Sequence, residues 1–276
     1  MIDILLATYN GEKYLKQQLD SLINQTFQKF RIIVRDDGSK DNTLRILNTY
    51  KAEFENKFII INDDFGNLGS TKCFMKLLEY SNNKYIMFCD QDDFWLPNKV
   101  EISLNKIKLL GKNQSEFKPL LVFTDLTLVD ENLIEFEKSL WKYQKLNTHI
   151  SNNWRHLAAQ NVITGCTIIM NRAAKEVSLP FPAMFNEMIH DQWIGINVSK
   201  FGEINFLKQS TILYRQHSSN LEGSHNFSFG YIKDKLFHLS KVLLYFNNLS
   251  IYFVDISVYS LILYKIKLNV KRIFAK

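Results

Sequence analysis

A chain of 276 residues that is 46% apolar and 13% aromatic can build one large domain with an appendage, and it is too apolar to be disordered. The net charge of +6 is modest and comes with no zinc-finger spacing, RNA-binding aromatic signature or basic-region helix, so nucleic acid is not an expected partner. Cys73, Cys89 and Cys166 lie far apart in apolar surroundings, which excludes a disulfide frame and a zinc site and fits reduced core residues of a cytoplasmic protein. The opening Ile2-Asp3-Ile4-Leu5-Leu6 offers no basic leader or cleavage site, so secretion is not expected.

Residues 2–7 form a short apolar run suited to a buried strand, and Thr8-Tyr9-Asn10-Gly11 after it is a turn sequence. Tyr14, Leu15, Leu19, Leu22 and Ile23 then recur at helical spacing. A second strand over 30–34 stops at Asp36-Asp37-Gly38-Ser39, and a helix through Leu44, Ile46, Leu47 and Tyr50 follows. Residues 58–61 predict a third strand, 62–69 a loop and 73–80 a helix. A fourth strand over 85–89 ends in Asp90-Gln91-Asp92-Asp93-Phe94-Trp95-Leu96-Pro97. Strand and helix alternate across 2–110, the pattern of a parallel sheet with helices on both faces. The loops after its strands collect on one sheet edge, where open α/β folds bind ligands. Three carboxylates within four residues repel one another unless a cation lies between them; the plainer alternative is an acidic turn that caps the next helix.

The second half is less regular. Residues 120–123 and 162–170 predict strands, the latter holding Thr164-Gly165-Cys166. The polar connection between them, with Trp141, Tyr143 and Trp154, reads as a substrate-facing insertion. A helix over 187–198 carries His190-Asp191-Gln192-Trp193, and a strand over 204–214 leads to Arg215-Gln216-His217. From residue 229 the composition turns aliphatic and aromatic with a basic end. Asp255 interrupts its uncharged run short of the roughly 20 residues of a membrane-spanning helix. Amphipathic helices lying on the domain or on a membrane surface are expected instead. The chain divides accordingly into 1–226 and a helical, basic 227–276.

Thr8-Tyr9-Asn10-Gly11, Gln25-Thr26-Phe27, Asp36-Asp37-Gly38-Ser39, Asn67-Leu68-Gly69 and the stretch from Asp90 to Pro97 together resemble family 2 glycosyltransferases of the GT-A fold. The resemblance is dense over 2–110 and looser over 160–220; with Lys99 after Pro97 it is most similar to bacterial polysaccharide rhamnosyltransferases. It implies a GT-A type, Rossmann-like, mostly parallel sheet flanked by helices, with a C-terminal helical extension. It also implies a nucleotide-diphosphate sugar donor, with Thr8, Tyr9, Asn10, Glu12, Asp37, Asn67, Gly69, Asp90, Gln91, Asp93 and Gly165 around it.

Within that implied site Tyr9 would stack on a pyrimidine whose imide hydrogen Asp37 accepts, and Glu12 and Asp90 suit ribose hydroxyls. Asp93 would meet the sugar or cap a helix. Asn67 and Gly69 would let the backbone approach the donor, and Gly165 would leave room beside the sugar. Asp92 would hold Mg²⁺ or Mn²⁺ with His217, for which His225 is an alternative. Asp191 would be the catalytic base of an inverting displacement, with Glu187 as its rival, and Trp193 would stack on the acceptor sugar. The implied acceptor is a glycan or lipid-linked oligosaccharide at the cytoplasmic face of a membrane, and a homo-oligomer is open. A non-catalytic nucleotide-sugar-binding subunit is the alternative. A Rossmann oxidoreductase fits poorly, because the first strand-turn lacks GxGxxG.

Overall fold

The structure, a computed structural model, describes residues 1–185, 188–217 and 239–274. Strands β1 (Ile2–Thr8), β2 (Phe30–Asp36), β3 (Phe58–Ile60) and β4 (Tyr85–Cys89) pair in parallel in the order β3-β2-β1-β4. Thr8 is level with Asp36 and Leu6 with Cys89, so the loops leaving β1, β2 and β4 emerge side by side. That edge was expected from the alternation of strand and helix, and the four strands lie where the apolar runs put them.

Both faces of this sheet are covered. Ile4, Ile32, Val34 and Met87 pack with Leu15 and Leu19 of α1 (Leu15–Ile23), Leu47 of α2 (Thr43–Glu53) and Leu104 of α4 (Lys99–Leu110). Leu5, Ile33, Ile86 and Phe88 face the other way, towards Phe74 and Leu77 of α3 (Ser70–Tyr80). Side chains alternate across a strand, so burial of both sets explains why the strands read as continuous apolar runs.

Beyond β4 the sheet becomes mixed. Among the described residues it holds nine strands, continuing through β8 (Ile169–Asn171), β6 (Leu120–Val129), β9 (Glu203–Arg215) and the two-residue β5 (Phe94–Trp95). β7 (Glu135–Glu137) pairs with β6. β5 pairs antiparallel with β9, so the chain just after the acidic stretch is fastened to the strand that delivers Arg215. The strand expected over 162–170 is mostly absent. Residues Gly165–Thr167 form a 3-10 turn, because their amides bond locally and to a neighbouring helix, leaving only Ile169–Asn171 for the ladder.

The connection expected to be a substrate-facing insertion is core at its tryptophans, while Leu140, Gln144, Leu146 and Asn161 face the cavity lined by the strand-end loops. It folds into α5 (Leu140–Tyr143), a 3-10 turn and α6 (Trp154–Ala159), with Trp141 and Trp154 buried. Two further helices, α7 (Arg172–Ser178) and α8 (His190–Phe201), flank this half. The C-terminal segment forms α9 (Leu239–Tyr252) and α10 (Val258–Phe274). Phe246, Leu249, Phe253, Leu261 and Leu268 join the apolar cluster that holds Leu5 and Trp193. Asp255 meets Lys200 at 2.7 Å and Arg155 at 3.3 Å, and the Arg272 Nε donates to the Gln144 carbonyl at 3.1 Å. The two helices therefore pack on the domain; the expected boundary at 226/227 lies outside the described residues. Among the described residues no helix is long and apolar enough to cross a membrane.

Candidate active site

The strand-end loops line one cavity of about 1960 Å³, which also takes in α8 and residues of α9 and α10. Its walls on the β1–β4 side are set by side chains bonded to backbone. Asp36 accepts from the Thr8 hydroxyl (2.9 Å), the Ser39 hydroxyl (2.6 Å) and the Ser39 amide (2.8 Å), closing the turn after β2. Asp37 accepts from the amides of Leu68 and Gly69, each at 2.8 Å, and from Arg35. Arg35 is buried; it forks onto Asp63 with two 2.9 Å bonds and reaches the Gly66 carbonyl. Together Arg35 and Asp37 hold the 63–69 loop over the cavity. Asn67 adds a bond from its side-chain amide to the Asp37 carbonyl (3.0 Å), and Gly69, at φ 75°, adopts the left-handed conformation that glycine favours.

Gln91 has a similar task. Its amide nitrogen donates to the Tyr9 carbonyl and its oxygen accepts from the Tyr9 amide, both at 2.9 Å. A Cβ at Gly11 would lie 2.2 Å from that oxygen, so the bridge requires glycine there. Asn10 accepts from the Lys40 amide (2.8 Å), and Glu12 accepts from the Asn42 backbone (2.8 Å) and side chain (2.7 Å). Thr8, Asn10, Glu12, Asp37 and Gln91 all line the cavity, but each has a hydrogen bond fixing its loop. Tyr9 stands half exposed at the rim, where its ring can meet a planar group.

The acidic stretch divides. Asp90 and Asp92 line the cavity; Asp93 does not. Burial and the neighbouring Asp92 charge push the Asp90 carboxyl up to about 7. The Asp92 Oδ2 lies 2.9 Å from the His217 Nε2, and the His217 ring sits 4.9 Å from that of Tyr14. The expectation that Asp93 meets the sugar or caps a helix is corrected. Asp93 is fully buried, its Oδ1 accepts from the Arg215 amide (3.2 Å), and Asn98 occupies the cap position of α4. Its inward turn follows from β5 beginning at the next residue and pairing with β9. Burial, then Asp92 and Asp90, raises its carboxyl well above the usual range.

Arg215, which the sequence signalled only through its place beside His217, is what holds this turn. Its Nε donates to the Asp92 carbonyl (2.8 Å), another nitrogen reaches Gln17 (2.7 Å), and its guanidinium lies 4.4 Å from the Tyr14 ring centre. Two clusters could therefore attract a metal. Asp90, Asp93 and Cys166 place ligand atoms within 4.8 Å of one another, but Asp93 and Cys166 lie behind the cavity wall. Asp92 and His217 sit on the cavity with facing carboxylate and imidazole atoms, the donor pair that suits a divalent ion reaching a ligand.

On the opposite wall Asp191 opens α8. Its two oxygens accept from the Asn161 side chain (3.0 Å) and the Gly165 amide (2.9 Å), and it faces the cavity. His190 beside it stacks on Phe74 (4.3 Å) and lies 5.3 Å from Phe88, and burial takes its imidazole down to about 3, so it is neutral. A Cβ at Gly165 would stand 2.6 Å from the His190 Nε2, so glycine leaves room here for the imidazole rather than for a sugar alone. The expectation for Trp193 is corrected. Two residues after Asp191 on a helix it points away from the cavity, is 1% exposed, and donates from its indole to the Ser178 carbonyl (2.7 Å), so it cannot stack on an acceptor. The rival base Glu187 and the alternative ligand His225 lie outside the described residues.

A family model described as "Glycosyl transferase family 2" matches residues 3–177. A dTDP-rhamnosyl transferase of Shigella flexneri is 28% identical over 241 residues, covering 81% of this chain and 75% of that protein. A poly(ribitol-phosphate) beta-glucosyltransferase of Bacillus spizizenii is 33% identical over 176 residues, covering 54% of this chain and 27% of its own length. Among solved structures, S. aureus TarS 1-349 in complex with UDP-GlcNAc aligns with a TM-score of 0.60 at 19% identity, covering 99% of this chain and 72% of that one. A mannosyltransferase from Pyrobaculum calidifontis in complex with GDP-Man and Mn2+ aligns at 0.58 and 13% identity, covering 90% of this chain and 63% of that one. The structural similarity is one of fold, the GT-A arrangement of a curled α/β sheet.

Proposed function

The chain belongs to glycosyl transferase family 2, and from that premise we propose that it is an inverting, metal-dependent enzyme that moves rhamnose from a nucleotide-diphosphate sugar to a glycan acceptor. The observation that carries this reading is that Asp92 with His217 and Asp191 with Asn161 line the same cavity as the strand-end loops. The first of the named relatives supports the choice of sugar, being a dTDP-rhamnosyl transferase.

In this reading the base of the nucleotide lies against Tyr9 near Asp37, and the diphosphate lies over Asp92. Asp92 and His217 would hold Mg²⁺ or Mn²⁺, which when bound offsets charge on the departing diphosphate. Asp191 accepts the proton of the attacking acceptor hydroxyl, so that the carbon–oxygen bond to the acceptor forms as the bond to the diphosphate breaks. Asn161 and the Gly165 amide, each donating to one of its oxygens, fix the orientation of the carboxylate. The acceptor is a lipid-linked oligosaccharide of cell-surface polysaccharide synthesis, reached from the cytoplasmic face. A binding subunit without chemistry has no need of Asp92, His217 and Asp191 in one cavity.

The test is a thermal-shift screen of UDP-, dTDP- and GDP-sugars with Mn²⁺. A ligand at ~100 times its Kd stabilises the folded state by about 2.7 kcal/mol, and dTDP-rhamnose is expected to give the largest rise. No rise with any nucleotide sugar would contradict the reading.

A further inference from the structure

The inner face of α10 packs on the core through Leu261, Leu268 and Arg272. Its outer face carries Tyr259, Leu263, Ile266, Val270, Ile273 and Phe274, recurring every three or four residues and each between 45% and 79% exposed. That is an amphipathic helix with a second apolar stripe turned outwards, where a globular surface would carry charge. Exposed Lys267 and Lys271 lie along one side of the stripe. Residues 256–276 contain five basic residues and no acidic one. An apolar stripe edged by cations on a helix too short to cross a bilayer matches the chemistry of an anionic lipid interface.

The stripe also runs into the cavity. Ile266 is 55% exposed and lines the cavity, as do Leu239 (51%) and Leu243 (38%) at the start of α9. These three are the apolar sill of the cavity, exposed side chains on the same lining as Asp191.

We propose that α10 lies flat on an anionic membrane by this stripe, and that the sill turns the acceptor side of the cavity towards the bilayer, so that a lipid-linked acceptor enters along the membrane plane. This rests on the glycosyltransferase reading for the identity of what enters, but the docking surface is measurable without it.

The experiment is vesicle flotation of the full chain with phosphatidylcholine alone and with phosphatidylcholine containing phosphatidylglycerol. A Leu263→Asp/Val270→Asp variant is run alongside, with its melting temperature and nucleotide-sugar binding measured in parallel. Neither side chain lines the cavity, so fold and donor binding are expected to stay as in the wild type. The wild type is expected to float with phosphatidylglycerol vesicles, and the variant to lose about tenfold or more in partitioning. Lys267→Glu/Lys271→Glu should lose the preference for anionic lipid, about 30-fold for two cations near the surface. Equal flotation of wild type and stripe variant, or none by either, overturns the inference. So does a wild-type dimer that the stripe variant dissociates without any flotation, which would assign the stripe to a second copy. Failure of donor binding in the wild type would instead strike the functional reading and leave the docking result standing.

Discussion

The two walls of the cavity are held by different physics. On the β1–β4 side Asp36, Asp37, Arg35, Gln91 and Glu12 each bond to backbone groups of neighbouring loops, so polar contacts lock the loop geometry. On the α8 side Asp191 accepts from Asn161 and the Gly165 amide, and the residues around it are packed. His190 is wedged against Phe74 with its Nε2 buried and unpartnered among the described residues, and Gly165 is small because that imidazole needs the space. A wall fixed by hydrogen bonds suits a donor whose shape does not vary; a wall fixed by packing leaves a carboxylate poised beside open volume.

The largest expected effect breaks that contrast at its chemical end. Asp191→Asn keeps the size and can still accept from one of the two donors, Asn161 or the Gly165 amide, but removes the proton acceptor. Turnover should fall by roughly two orders of magnitude or more while the donor Kd, read by calorimetry, stays unchanged. A parallel loss of donor affinity would mean Asp191 belongs to the donor wall. Arg215→Met comes next. It removes the bond to the Asp92 carbonyl without touching the carboxylate, so Mn²⁺-dependent donor affinity should drop about 10–100-fold, the scale for groups that orient metal ligands.

Gly11→Ala sharpens the hydrogen-bonded side. The new Cβ would displace the Gln91 oxygen from the Tyr9 amide and should cost about 1–3 kcal/mol in urea unfolding, with donor affinity falling as the rim loosens. The last prediction probes the packed side. The folded-state value of His190, about 3, lies below the unfolded 6.5, so the unfolded chain binds the extra proton and stability declines as pH falls from about 6.5 towards 3. His190→Phe removes that proton and should flatten the melting temperature between pH 7 and 4; an unchanged slope would show that other groups set the acid limb.

The same contrast explains what the sequence made legible. Turn chemistry obeys local rules, so Thr8 to Gly11, Asp36 to Ser39 and Asp90 to Asp93 were readable as strand-end loops, and parallel pairing then placed them together. Packing is not local. The burial of Trp193, Trp141 and Trp154, the inward turn of Asp93 and the loss of most of the 162–170 strand depend on partners far along the chain. Arg215 and Arg35 are hard to read for a related reason: an arginine that anchors backbone carbonyls looks, in one dimension, like any surface cation. Gly11 beside the turn residues was the one visible hint of the Gln91 bridge.

The most direct test of the central claim is titration calorimetry of dTDP-rhamnose into the wild type and Asp92→Ala, each with and without Mn²⁺. Tighter binding with Mn²⁺ in the wild type and none in the variant is the predicted result. Equal affinity in the wild type with and without the ion would contradict the account.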